Sequence, residues 1–439
     1  MKICFVPIDN RPVCYTLPKD IIAMDENIEL LLPPREFLGD LTKTAQIDKI
    51  LAWMKGVNKG ECDCFVLSLD TIAYGGLIPS RRSNDSLDDI KSRLEQLKLI
   101  IKGKKVYAFS SIMRISNNNY NEEEKEYWKD YGKKIFEYSF NGGGNTDVPL
   151  DVLEDYLSTR MRNFEINKLY LEWQKEGIFD TLIFSKDDCA ERGFNVEEAH
   201  ELERLGGKTK TGADEIPLTL LSRAIEKDIK VFVEFTEPDD KNKISNYEDV
   251  SIEKSVEGQI ELGGFKRVFD IDVADLVLVV NNFVEKQGEL VMGWATGEKY
   301  KGDFALPSKP YAFADVRYAN GADNDFVEDI LSKLDNNFYG YSGWNTSANT
   351  LGTILATVKV KFRATKYNDD AFKKLQMIRF LDDWAYQANV RSIISEPCEI
   401  SNFMKLYEET LCNVFGVNFF KITYSYPWLR KFEVEVCLG

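Results

Sequence analysis

Along most of the chain, short β-rich apolar runs alternate with segments of helical periodicity, which leaves few folds open. Strands that alternate with helices are typical of parallel sheets, because parallel neighbours need a long crossover connection. The sequence therefore predicts an α/β fold with a (β/α)₈-barrel-like core of mostly parallel strands; one or two doubly wound parallel sheets are the alternative. The strand candidates are Lys2–Ile8, Ile28–Leu32, Cys64–Leu69, Lys105–Ser110, Thr181–Ser185, Lys230–Phe235, Leu276–Val280, Tyr311–Asp315 and Phe338–Tyr341.

Two segments between these runs carry clear helix signals. Asp85–Asp89 opens an amphipathic run that reaches about Ile101, with acidic residues in the first turn, where the helix dipole favours them. A second helix is predicted after Pro149 and includes Val152–Trp173.

The pattern changes after about residue 365. We predict an α/β catalytic-like domain over 1–365 and a C-terminal extension over 366–439 that packs on this core. The predicted elements of the extension are two helices and a short β pair: Asp369–Ile394, Asn402–Phe415, Phe420–Tyr424 and Lys431–Val436.

The composition limits the kinds of catalytic site and partner that this chain can have. The chain has 72 acidic against 56 basic residues, a net charge of −16, and a single histidine, His200. A three-histidine zinc site is therefore excluded, and nucleic acid is not expected as a partner, because phosphate neutralisation needs clustered basic residues. We expect neither a membrane span nor a secretory signal, and the scattered cysteines favour a cytoplasmic location. Catalysis would depend mainly on carboxylates.

Unusual polar residues follow strand after strand. In parallel α/β folds the carboxyl ends of the strands face one side, where ligands bind, so distant motifs are expected to converge. Helix caps and turns are the alternative explanation for each motif taken singly. The predicted substrate-binding residues are Asp9, Arg11, Asp70, Tyr74, Gly75, Arg81, Asp214, Asp315, Asn320, Trp344, Asn345 and Asn349.

The adjacent carboxylates Asp187 and Asp188 are the predicted catalytic pair. Neighbouring residues that leave a strand point in different directions, and two close carboxylates separate in pKa, which makes a general acid at neutral pH feasible. Trp344 would suit the apolar face of a sugar ring. The acidic run Glu122–Glu124 is interpreted instead as solvated helix surface.

No cofactor or metal is predicted. The pair Gly75-Gly76 lacks the spacing of a dinucleotide fingerprint, and no P-loop run is present. A divalent cation held by Asp9, Asp70 and Asp187 remains an alternative.

A further set of polar and glycine-containing motifs extends over nearly the whole chain: Pro7–Pro12, Ser68–Asp70, Tyr74–Leu77, Ser80-Arg81, Arg162–Phe164, Asn167, Lys186–Asp188, Gly212–Glu215, Asp315, Tyr318–Asp323, Gly343–Thr346, Asn349-Thr350, Asp382-Asp383, Tyr386-Gln387 and Arg391. Together these motifs resemble a bacterial family, the domain-of-unknown-function family DUF4127. Asn10 departs from the acidic residue expected there, and the family label implies no activity. A separate similarity, limited to Asp187-Asp188, is to hexosaminidases in which one aspartate orients the substrate's acetamido group and the other is the general acid/base.

The predicted function is hydrolysis of a carbohydrate or glycoconjugate by carboxylate acid/base chemistry, with Asp188 as general acid/base and Asp187 as the orienting carboxylate. Two alternatives stay open: a non-catalytic protein that binds a small molecule in the same cleft, and a metal-dependent hydrolase with an all-carboxylate site.

Overall fold

The computed structural model describes residues 1–58, 62–187, 192–302, 304–394 and 399–439. In chain order, the strands of these residues are β1 Lys2–Val6, β2 Glu29–Leu31, β3 Cys64–Ser68, β4 Lys105–Ile112, β5 Thr181–Lys186, β6 Thr209–Thr211, β7 Lys230–Phe235, β8 Lys266–Val268, β9 Leu276–Asn281, β10 Gly288–Glu289, β11 Tyr311–Asp315, β12 Tyr318–Ala319, β13 Phe338–Ser342, β14 Ile422–Ser425 and β15 Glu435–Leu438.

Helices occupy most of the chain between the strands. They are α1 Thr16–Ile22, α2 Ile47–Asn58, α3 Leu69–Ala73, α4 Leu77–Arg82, α5 Leu87–Ile101, α6 Trp128–Phe140, α7 Leu150–Lys175, α8 Phe194–Arg204, α9 Ile216–Ala224, α10 Ile252–Leu262, α11 Asn324–Leu331, α12 Ser347–Arg363, α13 Asp369–Arg379 and α14 Ile400–Phe415.

The chain divides into two compact units. The first comprises residues 1–15 and 29–220, and the second comprises 16–28 and 221–439. The predicted extension, 366–439, lies within the second unit.

The first unit contains a six-stranded sheet in the order β2-β1-β3-β4-β5-β6. Every neighbouring pair is parallel. All five residues of β3 are buried, as expected for a parallel strand that helices cover on both faces. The strand order reverses between β1 and β3, and in doubly wound sheets ligands bind in the crevice outside the carboxyl ends of such strands.

The second unit contains a five-stranded parallel sheet in the order β13-β11-β9-β7-β8. If these five strands are numbered 1 to 5 in chain order, their order in the sheet, taken from the β8 edge, is 2-1-3-4-5. The first five strands of the first unit lie in the same order, so the two sheets share one topology over five strands. Strands β9 and β11 are buried along their whole length.

The predicted α/β class with mostly parallel strands is confirmed, and the two sheet orders match the doubly wound alternative. Each strand candidate overlaps an observed strand. The missed strands β6 and β8 have three residues each and lie at sheet edges. Such short edge strands are half-exposed and need no apolar run.

The C-terminal helices and strands lie where the sequence predicts them, but part of one predicted α-helix is a π-helix. The β pair forms as β14 and β15, which are antiparallel. The single helix predicted over Asp369–Ile394 is wrong in one respect: α13 ends at Arg379, and the wider turns of a π-helix continue over Phe380–Val390. Extended π-helices are rare and are often found at functional sites.

Within the described residues, no helix combines the length and the apolar character that a membrane crossing requires.

Candidate functional site

The structure distributes the predicted site residues between the two units. Asp188 lies outside the described residues. The first unit holds Asp9, Arg11, Asp70, Tyr74, Gly75, Arg81, Asp187 and Asp214, and the second holds Asp315, Asn320, Trp344, Asn345 and Asn349.

In the first unit, a buried ion-pair group connects the segment after β1 with the segment after β6. The Arg11 side chain donates from Nε to Asp9 Oδ2 at 2.9 Å and from Nη1 to Asp214 Oδ2 at 3.0 Å. Its Nη2 completes a bidentate pair with Asp214. All three residues are at most 7% exposed. Burial raises the pKa of Asp214, and the Arg11 guanidinium opposes that rise.

This group includes the one set of potential metal ligands found among the described residues. Single ligand atoms of Asp9, Cys14 and Asp214 lie within 4.8 Å of one another. Arg11 is already bound to both carboxylates, so a guanidinium supplies the positive charge that a metal ion would bring. The geometry therefore fits a fixed ion pair better than a cation site.

Asp70 lies in the first turn of α3, directly after β3. Its Oδ2 accepts the backbone N–H of Ser111 at 2.9 Å, and Ser110 Oγ lies 3.3 Å from its Oδ1. Burial raises the pKa of Asp70 to about 6, against the lowering effect of the serine hydrogen bonds and of Arg81. A carboxyl group of this kind changes its charge near neutral pH, as a general acid or base must.

Arg81 lies in the last turn of α4, with a side chain that is only 1% exposed. Its nitrogens lie 3.5 Å from Glu123, 3.7 Å from Glu124 and 3.8 Å from Asp187. None of its three side-chain nitrogens forms a hydrogen bond within the described part of the chain. Buried donors without acceptors are costly, so this guanidinium is suited to ligand oxygen atoms.

Arg114, which follows β4, contacts the same three acids more closely. It lies 2.7 Å from Glu123, 3.2 Å from Glu124 and 3.4 Å from Asp187. The Asp187 carboxylate, after β5, is thereby held between two guanidinium groups. A cleft of about 650 Å³ opens beside Glu124 and is lined by Arg82, Lys125, Tyr127 and Asp155, among others.

Tyr74 and Gly75 support the loop between α3 and α4. Tyr74 is buried, and the Arg162 guanidinium lies 5.4 Å from its ring centroid. Gly75 has φ +92°, and a Cβ there would lie 2.1 Å from Thr44 Cγ2. Both residues position the chain that carries Arg81, and in this structure neither is placed as a reacting group.

In the second unit, Asp315 at the end of β11 belongs to a saturated network. Its carboxylate accepts Asn281 Nδ2 at 2.9 Å, the Tyr341 hydroxyl at 2.9 Å and the Asp323 backbone N–H at 2.8 Å. Burial, then the Asp323 charge, raises the pKa of Asp315 to about 7. Arg317, which is 0% exposed, ties this network to Glu237 at 2.8 Å.

The remaining predicted residues of the second unit follow β12 and β13. Trp344 is 5% exposed and packs on Phe432, with 5.6 Å between ring centroids. Asn320 and Asn345 have φ +56° and +68°. Asn349 lies in the first turn of α12, where its N–H donates to the Thr346 cap at 3.4 Å, so the capping explanation fits this residue.

Comparison with known proteins supports the resemblance seen in the sequence. The model of a family described as a protein of unknown function (DUF4127) matches residues 3–437. The chain belongs to the DUF4127 family. No curated protein and no solved structure matches it.

Several polar residues of this DUF4127 chain escaped the sequence reasoning, and one interpretation was wrong. Glu124 was assigned to solvated helix surface, but it is 5% exposed, lies in a turn and pairs with Arg114. A run of three glutamates gives no local sign of burial, because the compensating arginines come from other elements. Glu289 was missed as well: its side chain is 4% exposed and accepts Asn320 Nδ2 at 2.8 Å.

Proposed function

We propose that the first unit is a hydrolytic enzyme that acts on a hydroxyl-rich small molecule, a carbohydrate or glycoconjugate fragment, by carboxylate acid/base chemistry. One observation carries the proposal: the polar residues after β1, β3, β5 and β6 form a connected set of carboxylates and guanidinium groups. Arg11 pairs with Asp9 and Asp214, and Arg81 approaches Asp187 and acts electrostatically on Asp70. The Asp187 charge in turn acts on Asp214, which joins the two groups.

The set offers the two kinds of group that such a reaction needs. Asp70 exchanges a proton near neutral pH, because burial brings its pKa to about 6. Asp187 is fixed between Arg81 and Arg114, which suits the orienting role predicted for it. Asp188, adjacent in sequence, keeps its predicted role as general acid/base in this proposal. Sugar hydroxyls are suitable partners for carboxylates and guanidinium groups alike.

A panel of aryl glycosides tests the proposal. The wild-type chain should release the aryl group from at least one member, and Asp70→Asn and Asp188→Asn should each lower kcat by about 100-fold or more. The matched control is Asp88→Asn, an exposed aspartate in the first turn of α5, which should leave turnover unchanged. If no panel member is turned over by the intact protein, glycoside hydrolysis is overturned.

A non-catalytic binding protein is the second candidate, and Arg81 favours it. A buried guanidinium without hydrogen bonds to the described residues is a binding feature that needs no reacting group. On this alternative, sugars from the panel would stabilise the wild-type chain against heat, Arg81→Gln would remove that stabilisation, and no aryl group would be released.

We also propose the cytoplasm as the place of action. In support, the cysteines of the described residues are free thiols, and Cys4, Cys14, Cys62 and Cys64 are buried.

A further inference from the structure

A buried glutamate in the second unit is surrounded by neutral donors. Glu289 is 4% exposed. Among the described residues, its carboxylate accepts the Tyr247 hydroxyl at 2.6 Å and Asn320 Nδ2 at 2.8 Å. The short parallel ladder of β10 and β12 pairs Glu289 with Ala319, which brings Asn320 alongside. A buried carboxylate that accepts two hydrogen bonds still has oxygen lone pairs available to a further donor.

The backbone around this glutamate is strained. Tyr247, Asn320 and Asn345 have φ +67°, +56° and +68°, in the left-handed region that side-chain-bearing residues seldom adopt. The Asn320 N–H donates to the Asn345 carbonyl at 3.0 Å, so two of these residues support each other. Strained backbone conformations collect at ligand sites, where the surrounding structure holds them in place.

Aromatic and basic side chains connect Asn345 with Glu289 through a series of contacts. Trp344, the preceding residue, packs on Phe432, and the Arg391 guanidinium lies 5.2 Å from the Phe432 ring centroid. Burial lowers the pKa of Arg391, and the Glu289 carboxylate opposes this, so the two charges lie near each other. Gln387, in the π-helix, fixes Arg391 by accepting its Nη1 at 3.0 Å.

One buried polar atom of these contacting residues has no hydrogen-bond partner among the described residues. The indole Nε1–H of Trp344 is buried, in a residue that is 5% exposed, and finds no acceptor within the described part of the chain. A buried donor without an acceptor destabilises the protein unless a ligand or water supplies the missing oxygen. This group of side chains is open to solvent on one side, because three of its members are only half-buried: Asn320, Asn345 and Arg391.

We infer that the second unit binds a hydroxylated ring, a monosaccharide or cyclitol, at the site formed by Glu289, Asn320, Trp344, Asn345, Arg391 and Phe432. Glu289 accepts a ligand hydroxyl, the Trp344 indole donates to a ligand oxygen, and the half-buried Phe432 ring, which packs on Trp344, supplies the apolar surface on which ring C–H groups pack. This site is independent of the acid/base site proposed for the first unit.

Calorimetric titration of the full chain with glucose, glucuronate and N-acetylglucosamine tests the inference. At least one probe should bind saturably with a Kd of about 1 mM or tighter. Glu289→Gln should weaken that binding tenfold or more. Glu257→Gln, a matched change at a surface ion pair of the same unit, should leave it unchanged.

A second variant keeps the test decisive if Glu289→Gln does not fold. Trp344→Phe retains an aromatic ring against Phe432 and removes only the indole donor and its second ring, and it should weaken binding at least threefold. The inference is overturned if none of the three probes binds the wild-type chain, or if Trp344→Phe binds as tightly as wild type. Binding at this site involves no release of an aryl group, so the result is read separately from the turnover that tests the proposed hydrolysis.

Discussion

At the scale of single residues, Arg11 decides whether two buried carboxylates are tolerated in the first unit. Replacing it with methionine leaves Asp9 and Asp214 buried without their cation, and breaking a buried ion pair in this way costs about 3–5 kcal/mol. We expect Arg11→Met to lower the free energy of unfolding by that amount, measured by urea denaturation.

The matched control is Arg204→Met, which removes an exposed pair with Glu201 and should cost less than about 1 kcal/mol. Equal losses in the two variants would contradict the structural role given to Arg11.

For single residues, position at a strand end was predictable from the sequence, whereas the interaction partner was not. Asp9, Arg11 and Asp214 were selected as strand-end motifs, but the pairing of Arg11 with Asp214 joins positions 203 residues apart and depends on the sheet order. The prediction that Glu124 is exposed to solvent was wrong, because its charge is compensated by Arg81 and Arg114, which belong to other elements. Local pattern predicts which polar residues sit at strand ends, whereas their partners follow from topology.

At the scale of elements, the turn between α3 and α4 depends on Gly75. Its φ of +92° favours glycine, and a Cβ would also lie 2.1 Å from Thr44 Cγ2 and 3.0 Å from the Ala45 nitrogen. We expect Gly75→Ala to destabilise the protein by about 2 kcal/mol or more, because steric overlap adds to the backbone strain. Thermal denaturation measures the loss.

Gly103 provides the comparison. It also has positive φ, +75°, but a Cβ there meets nothing within 4 Å, so Gly103→Ala should cost only the strain, about 1 kcal/mol. A Gly103→Ala loss as large as that of Gly75→Ala would show that Thr44 can move aside.

Elements with strong local signals were predictable from the sequence. Helix α5 begins within the predicted opening segment, where the structure shows a capping box of Ser86 and Asp89, and α7 extends the predicted helix by two residues at each end. The π-helix Phe380–Val390 was not predictable, because its apolar spacing is close to that of an α-helix and tertiary contacts widen its turns. One such contact is the hydrogen bond from the Gly343 N–H to Asp383 Oδ2 at 2.8 Å.

At the scale of the whole molecule, buried carboxyl groups make stability depend on pH. Burial is the leading cause that raises the pKa of Asp70 to about 6 and those of Asp315, Asp383, Glu198 and Glu248 to about 7. A group whose pKa is higher in the folded than in the unfolded state stabilises the fold fully below its ordinary pKa and loses that contribution as pH rises through the folded value.

We therefore expect the melting temperature to fall between about pH 4 and pH 7, from the ordinary carboxyl pKa values to the raised ones. Each pKa unit corresponds to about 1.4 kcal/mol per group, so the decline should be readily measurable by calorimetry. Asp70→Asn should reduce the slope between about pH 4 and pH 6, where that residue titrates. A melting temperature that rises over the same pH range would contradict these assignments.

Asp70 is the carboxyl group of the first unit on which the proposed acid/base chemistry depends most, because its pKa lies near neutral pH. A ¹³C NMR titration of the aspartate carboxyl groups, with Asp70 assigned by comparison with Asp70→Asn, measures this directly. We predict a midpoint near pH 6, since burial raises its pKa from 3.8 to about 6. A midpoint at or below 3.8 would show that Asp70 stays ionised at neutral pH and would remove its acid/base role.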